Sequence, residues 1–356
     1  MTDTGLKAEL ALSMGGFSLE AALSVAPGET LVLMGPNGAG KTTCLNLIAG
    51  LLRPERGRIT LDGVVLCDTE AGLDFPPERR SVGFLFQDGD LFPHLTVRQN
   101  AEYGPRARGR GRAETSGIVA GWLDRLGLTE LADRRAKELS GGQRRRAALA
   151  RALASGARLL LLDEPFASLD ATSRASVRAE MKGFLEMAGL PALAVAHDPV
   201  DAFVLGDRIA VLEGGRVVQT GTGEELLAHP RSPFVAELIG LNFYRVDLSE
   251  GVGLKEARAK GAVFHVLADG LSGSAHLAFA PSDVSLSAEA PRGSPQNVFQ
   301  GTVREIIPLT DRLRVIVDAG TPMAAEITRD AAQQLSVASG AVIWVSVKAS
   351  AIRVYP

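Results

Sequence analysis

Three short stretches carry residue types that can handle phosphate. The first is Gly35-Pro36-Asn37-Gly38-Ala39-Gly40-Lys41-Thr42-Thr43, which fits the pattern G-x-x-x-x-G-K-[ST]. Its glycines let the backbone wrap an anion at torsions that a Cβ forbids. The N–H groups of the helix that follows point at anionic oxygens. Lys41 can reach the β- and γ-phosphates of a nucleotide, and the Thr42 hydroxyl can ligate Mg²⁺. The second stretch is Leu159-Leu160-Leu161-Leu162-Asp163-Glu164. Its leucines read as a buried strand that delivers Asp163 to a Mg²⁺ shell. Glu164 is then placed to polarise an attacking water as general base. The third is Leu139-Ser140-Gly141-Gly142-Gln143, where small residues lead into a helix and make a second phosphate-seeking helix start. Taken singly, the first also reads as a glycine-rich turn and the second as an acidic strand end.

The elements that must position these residues follow from the pattern around them. Leu31–Met34 is a continuous apolar run, as in a strand buried on both faces, and helical periodicity runs from Thr42 to Leu52. Strand patterns precede it at Leu10–Leu12 and Phe17–Leu23, and another follows at Arg58–Leu66 with a turn at Asp62-Gly63. Residues 94–155 read as mainly helical, with Gly117–Leu126 and Gln143–Leu153 the most periodic. Arg106, Arg108, Arg110 and Arg112 alternate with small residues between helices, which reads as a solvated loop. Ala192–Ala196 is a further apolar strand, and Ile209–Val218 a hairpin around Gly214-Gly215. This alternation predicts an α/β layer with a partly parallel sheet up to about residue 237.

Bulk properties exclude several classes. The chain has 356 residues and a net charge of −3, so nothing in its electrostatics predicts a nucleic-acid partner. Cys44 and Cys67 read as reduced thiols, and the spacing of a zinc site is missing. No run approaches the roughly 18 apolar residues of a membrane span.

In combination the three stretches resemble the ABC ATPase family. Leu139–Gln143 resembles its signature, continued by Arg144–Leu153. The resemblance implies a P-loop NTPase fold with a helical subdomain, ATP and Mg²⁺ as cofactors, and hydrolysis to ADP and phosphate. It also implies a head-to-tail dimer, in which Ser140, Gly141, Gly142 and Gln143 of one copy close over ATP held by the other. Three further residues take roles through it. Gln87, in Phe86-Gln87-Asp88, senses Mg²⁺ and the attacking water and relays to a membrane subunit. Asp170, in Ser168-Leu169-Asp170, couples the two sites. His197, 33 residues after Glu164, contacts the γ-phosphate. Phe17 is the upstream aromatic that either stacks on adenine or packs in the core.

After Gly240 the texture changes. Gly251–Ala280 reads as irregular with short strands, and Ala290–Pro295 as a glycine- and proline-rich break. Short β patterns from Val298 onward, with one helical piece near Asp330–Leu335, predict a small OB-like β-barrel. The expected division is an ATPase domain at 1–240, a linker and first β segment at 241–290, and the barrel at 291–356. Ser294-Pro295-Gln296-Asn297-Val298 resembles the opening of the Mop/TOBE type of molybdate-binding domain, and Phe279–Val284 a segment common to importer ATPases. Thr328 and Lys348 are candidate oxyanion contacts. Gln296 and Ala331 depart from the family pattern, which favours a structural barrel over a regulatory oxyanion site. The resemblance implies an importer ATPase for molybdate or a related oxyanion, peripheral to the cytoplasmic face of the cell membrane. Its partners would be integral membrane permease subunits and, indirectly, an extracytoplasmic substrate-binding protein. The alternatives are an importer of iron(III), sulfate, polyamine or sugar and, from another class, a soluble ABC ATPase outside transport.

Overall fold

The computed structural model describes residues 4–86, 91–167, 171–291 and 293–356. The chain divides into two compact units, 1–224 and 225–356.

The first unit is built on a sheet of eleven strands among the described residues. In chain order these are β1 (Leu6–Met14), β2 (Phe17–Val25), β3 (Thr30–Met34), β4 (Arg56–Leu61), β5 (Val64–Asp68), β6 (Leu73–Asp74), β7 (Val82–Leu85), β8 (Leu159–Asp163), β9 (Ala192–Val195), β10 (Arg208–Glu213) and β11 (Arg216–Gly221). Their spatial order is β6-β5-β4-β1-β2-β11-β10-β3-β9-β8-β7. From β10 to β7 all neighbours are parallel. These strands are near-continuous apolar runs because both faces are covered, and Leu159–Leu162 and Ala192–Val195 are fully buried. From β6 to β2 the pairs are antiparallel, and β2 alternates inward and outward residues, as a strand with one wet face should.

Its helices are α1 (Lys41–Ala49), α2 (Val97–Ala107), α3 (Arg112–Arg125), α4 (Gly141–Ala154), α5 (Ala171–Ala188) and α6 (Pro199–Leu205). Helices α2, α3 and α4 pack on one another as the expected helical subdomain. Thr96 opens α2 with a capping box shared with Gln99, a device worth about 1 kcal/mol. Asn100, fully buried, accepts from Phe92 N at 2.8 Å and donates to Phe92 O and Thr96 O. The arginine stretch spans the α2–α3 junction. Arg106 pairs with Glu102 and Arg110 with Glu114, each at 2.5 Å. Both cysteines are free and buried, and burial pushes the Cys44 thiol up to about 12.

Helix α7 (Gly223–Ala228) spans the division, and the second unit continues with α8 (Pro233–Leu238) and α9 (Arg329–Gln334). Its strands are β12 (Asn242–Leu248), β13 (Leu254–Ala259), β14 (Ala262–Leu267), β15 (Gly273–Phe279), β16 (Val284–Ser287), β17 (Asn297–Pro308), β18 (Arg312–Asp318), β19 (Pro322–Thr328), β20 (Val342–Val347) and β21 (Arg353–Tyr355). They form two antiparallel sheets, β14-β13-β12-β15-β21 and β19-β18-β17-β20-β16. The two orders are the same pattern twice, with the last strand of each repeat exchanged into the other sheet. Two asparagines join the sheets at equivalent places. Asn242 accepts from Ala324 N at 2.7 Å and donates to Ala324 O at 2.9 Å. Asn297 accepts from His265 N at 2.6 Å and donates to His265 O at 2.9 Å. Gly261 and Gly320, each in a hairpin turn, approach so closely that a Cβ on either would lie 2.0 or 2.1 Å from the other's carbonyl oxygen.

Three expectations change here. The stretch read as irregular with short strands, Gly251–Ala280, holds three regular strands of six or seven residues, β13–β15. Residues 241–290 supply four strands of one sheet and the edge of the other, so they are woven into the barrel unit. The compact division also falls at 224, ahead of the expected 240. The turn-rich composition of 251–280 reflects tight hairpins, which the strand period of 2 hides when strands are short.

Candidate functional site

Strands β3, β9 and β8 are adjacent and parallel, so their carboxyl ends share one edge of the sheet. That edge is where open α/β sheets bind ligands. Strand β3 delivers Gly35–Thr43, β9 delivers His197, and β8 delivers Asp163 and Glu164.

The loop needs its glycines for stated reasons. Gly35 has φ 148°, and a Cβ there would lie 2.0 Å from Leu212 O. Gly40, at φ 103°, caps α1, and a Cβ there would meet the Phe17 ring at 2.7 Å. Gly38 is also at positive φ. Lys41 is buried at the start of α1 and donates from Nζ to Gly35 O at 2.7 Å and Pro36 O at 3.0 Å. Burial pushes its ammonium below the usual lysine range, against the pull of Glu164 and Asp163. Pro36, Asn37 and Ala39 complete the turn, and Thr43 follows Thr42 into the helix.

The Thr42 hydroxyl donates to Asp163 Oδ1 at 3.1 Å. Burial raises the Asp163 carboxyl above its ordinary range, Thr42 and Lys41 pull it back, and Glu164 pushes it further up. Glu164 stands at φ 47°, a backbone setting that is uncommon outside glycine and costs of order 1–3 kcal/mol. Its N–H donates to Val195 O at 3.2 Å, which ties it to the end of β9. One carboxylate oxygen lies 3.5 Å from His197 Nδ1. Asp198, next to His197, caps α6 through Val200 N at 2.8 Å and accepts from Arg174 of α5 at 3.2 Å. The tertiary structure thus brings Lys41, Thr42, Asp163, Glu164 and His197 to one place.

The other expected residues that are described fall elsewhere. Ser140 caps α4, accepting from Gln143 N at 3.4 Å, while its own N–H donates to Gln143 Oε1 at 3.0 Å. Gly141 and Gly142 have open space where a Cβ would stand. This helix start belongs to the α2–α4 packing unit. Gln87 and Asp170 lie outside the described residues. Phe17 packs against the core of the first unit with its ring edge on Gly40. In the second unit, Thr328 caps α9 by accepting from Ala331 N at 3.2 Å, and Lys348 is exposed. Sequence reasoning missed Asn100 and Arg80. No sequence signal marked either: Arg80 follows four exposed residues, 76–79, and its partners on α1 are distant in the chain.

Residues 20–167 match the ABC transporter family, and residues 293–354 match the TOBE domain. A Mycobacterium tuberculosis protein, "Molybdenum import ATP-binding protein ModC", is 40% identical over 95% of this chain and 94% of its own. The chain belongs to the ABC transporter ATP-binding family. A Pyrococcus abyssi relative, "Molybdate/tungstate import ATP-binding protein WtpC", is 36% identical over 92% of each chain. Among solved structures, cbiO1 from Clostridium perfringens, part of the ABC transporter complex cbiONQ, is 29% identical with a TM-score of 0.57. That likeness covers 64% of this chain and 91% of that one. As a member of this family the chain binds ATP. Among the described residues, no helix is long and apolar enough to cross a membrane.

Proposed function

We propose that this chain is the ATP-hydrolysing subunit of an importer that takes up molybdate or a related oxyanion. The observation that carries this is the kinship with molybdenum and tungstate import ATP-binding proteins along nearly the whole chain, C-terminal unit included. In this reading Lys41 and the loop N–H groups hold the phosphates. Glu164 takes the proton of the attacking water, and His197, 3.5 Å away, orients that carboxylate and the γ-phosphate.

The pair Thr42 and Asp163 fits Mg²⁺. Two hard oxygens meet at 3.1 Å. Among the described residues there is no group of three or more acidic, His or Cys side chains that could cage a metal. A site of one hydroxyl, one carboxylate and nucleotide phosphates suits Mg²⁺, which keeps most of its shell for water and phosphate. When bound it would neutralise charge on the phosphates. Gln87 would add a further oxygen.

The exposed, uncapped-by-acid start of α4 at Ser140–Gln143 supports a head-to-tail dimer, in which each copy offers that helix start to ATP on the other. Asp170 would couple the two sites. Closure on ATP and reopening after hydrolysis would move membrane permease subunits, placing the chain at the cytoplasmic face. In the C-terminal unit the Thr328 hydroxyl serves its helix cap, which supports a structural barrel over an oxyanion site.

Two measurements test the proposal. Glu164→Gln should keep ATP binding and lose turnover by about 10²–10⁴-fold; wild-type hydrolysis would remove Glu164 from the role of base. Deletion of the chain should abolish molybdoenzyme activity at limiting molybdate, with restoration by excess molybdate. Unchanged activity at limiting molybdate would shift the cargo to iron(III), sulfate, polyamine or sugar.

A further inference from the structure

Arg80 is 1% exposed yet belongs to none of the phosphate-handling stretches. Four hydrogen bonds hold its guanidinium. Nη1 donates to Leu47 O at 2.8 Å and Ile48 O at 2.9 Å, Nε to Phe75 O at 2.7 Å, and Nη2 to Asp74 Oδ1 at 2.6 Å. Leu47 and Ile48 lie in the last turn of α1, whose first residues are Lys41 and Thr42. A cation therefore sits on the carbonyl end of the helix whose amino end faces phosphate, where the helix dipole favours it. Gly50, at φ 82°, makes room. A Cβ at that position would lie 2.6 Å from Arg80 Nε.

The same residue lies two positions before the next strand. Ser81, at φ 54°, separates Arg80 from β7, and Ser81 O accepts from Arg158 N at 2.8 Å, just before β8. One side chain thus ties the far end of α1 to the start of the β7–β8 pair, and β8 ends at Asp163 and Glu164. The apolar contacts of Leu45, Leu47 and Ile48 are not directional, so they resist separation of helix and sheet better than sliding along the helix axis. Nη1 donating to two fixed carbonyls, on a planar group whose Nε and Nη2 are held by Phe75 O and Asp74, resists sliding. Over a helix of about 13 Å, any slide at Leu47 and Ile48 is passed whole to Thr42.

We propose that Arg80 is a positioning residue for ATP. It fixes the axial setting of α1 against β7 and β8, so that Lys41 and Thr42 stand in register with Asp163 and Glu164. This rests on the reading of the Gly35–Thr43 loop as the ATP site.

Arg80→Lys in the full-length chain keeps the charge and loses the fork. ATP affinity by calorimetry, KM and kcat per folded molecule, and the melting temperature would be measured together. Kd and KM should rise in parallel by about tenfold, the effect of one charge-assisted hydrogen bond, alongside a lower melting temperature from the acceptors left unpaired. Wild-type Kd and KM, with only the yield of folded protein or the melting temperature reduced, would overturn the inference and leave Arg80 a packing residue. Asp74→Ala supplies the second arm, since its carboxylate is partly exposed and the change removes the acceptor of Nη2 and leaves Arg80 three bonds. It should raise Kd by about threefold; an unchanged Kd would overturn the inference even where Arg80→Lys fails to fold. A wild-type chain that does not bind ATP would overturn the underlying reading, and that result is distinct from equal binding by wild type and variants.

Discussion

At the scale of single residues, the site carries charge that folding alone does not favour. Asp163 is held above its ordinary carboxylate range, chiefly by burial. A carboxyl raised in the folded state contributes stability that is present below its unfolded pKa and lost as pH rises through the folded value. Asp163→Asn should therefore raise the melting temperature of the nucleotide-free protein at pH 7. The gain should vanish at pH below the carboxylate range, where wild-type Asp163 is protonated in both states. Melting curves across pH 3–8, roughly spanning that titration, would show it, and an equal gain at both ends would assign the effect to packing. The same variant should lose Mg²⁺-dependent ATP binding. These residues were legible in the sequence because each sits in a motif whose chemistry is local. The Glu164 torsion of 47° was not, since it goes with a bond from Glu164 N to Val195 O on a neighbouring strand.

At the scale of elements, α1 and the hairpins show why spacing in sequence and closeness in space diverge. Helix α1 was legible from its periodicity, while its anchor Arg80 lies 33 and 32 residues from the carbonyls it binds. In the second unit the turn at Gly261 lies in the stretch read as irregular with short strands, and it meets the turn at Gly320, in the stretch read as β, backbone to backbone. Gly261→Ala and Gly320→Ala would each push a Cβ to about 2 Å from a carbonyl oxygen. Gly270, also at positive φ, has open space around it. Gly270→Ala therefore reports the torsional strain alone, about 1–2 kcal/mol. The two close-contact variants should be destabilised by clearly more, with urea unfolding followed by Trp344 fluorescence after Trp122→Phe. Equal losses at all three positions would show that the contact relaxes freely.

At the scale of the whole molecule, each unit has its own apolar core. One runs from Leu6 to Leu212 and the other from Tyr244 to Ile352. Units with separate cores can fold alone. Residues 225–356 expressed by themselves should unfold cooperatively, with a chemical-shift spectrum dispersed like that of a folded β domain. Residues 1–224 should retain ATP binding. A collapsed, non-cooperative 225–356 would mean that its two sheets depend on the rest of the chain. The duplicated topology argues against that, because the exchanged strands β16 and β21 close each sheet with a strand from the other repeat. Asn242 and Asn297 then clamp the two together.

The sequence by itself determined the phosphate-loop motif at 35–43, the strand and helix around it, and the acidic pair at the end of β8. Those depend on contiguous residues with fixed spacing. It also placed His197, through its distance from Glu164 in a familiar order of motifs. Only the tertiary structure decided that His197 and Glu164 meet at 3.5 Å and that Arg80 grips the far end of α1. It also decided that residues 241–290 belong to the barrel unit. Each of these is a pairing across a chain reversal, set by sheet register and by the need to satisfy buried polar groups. Neither leaves a periodic trace in the residues themselves.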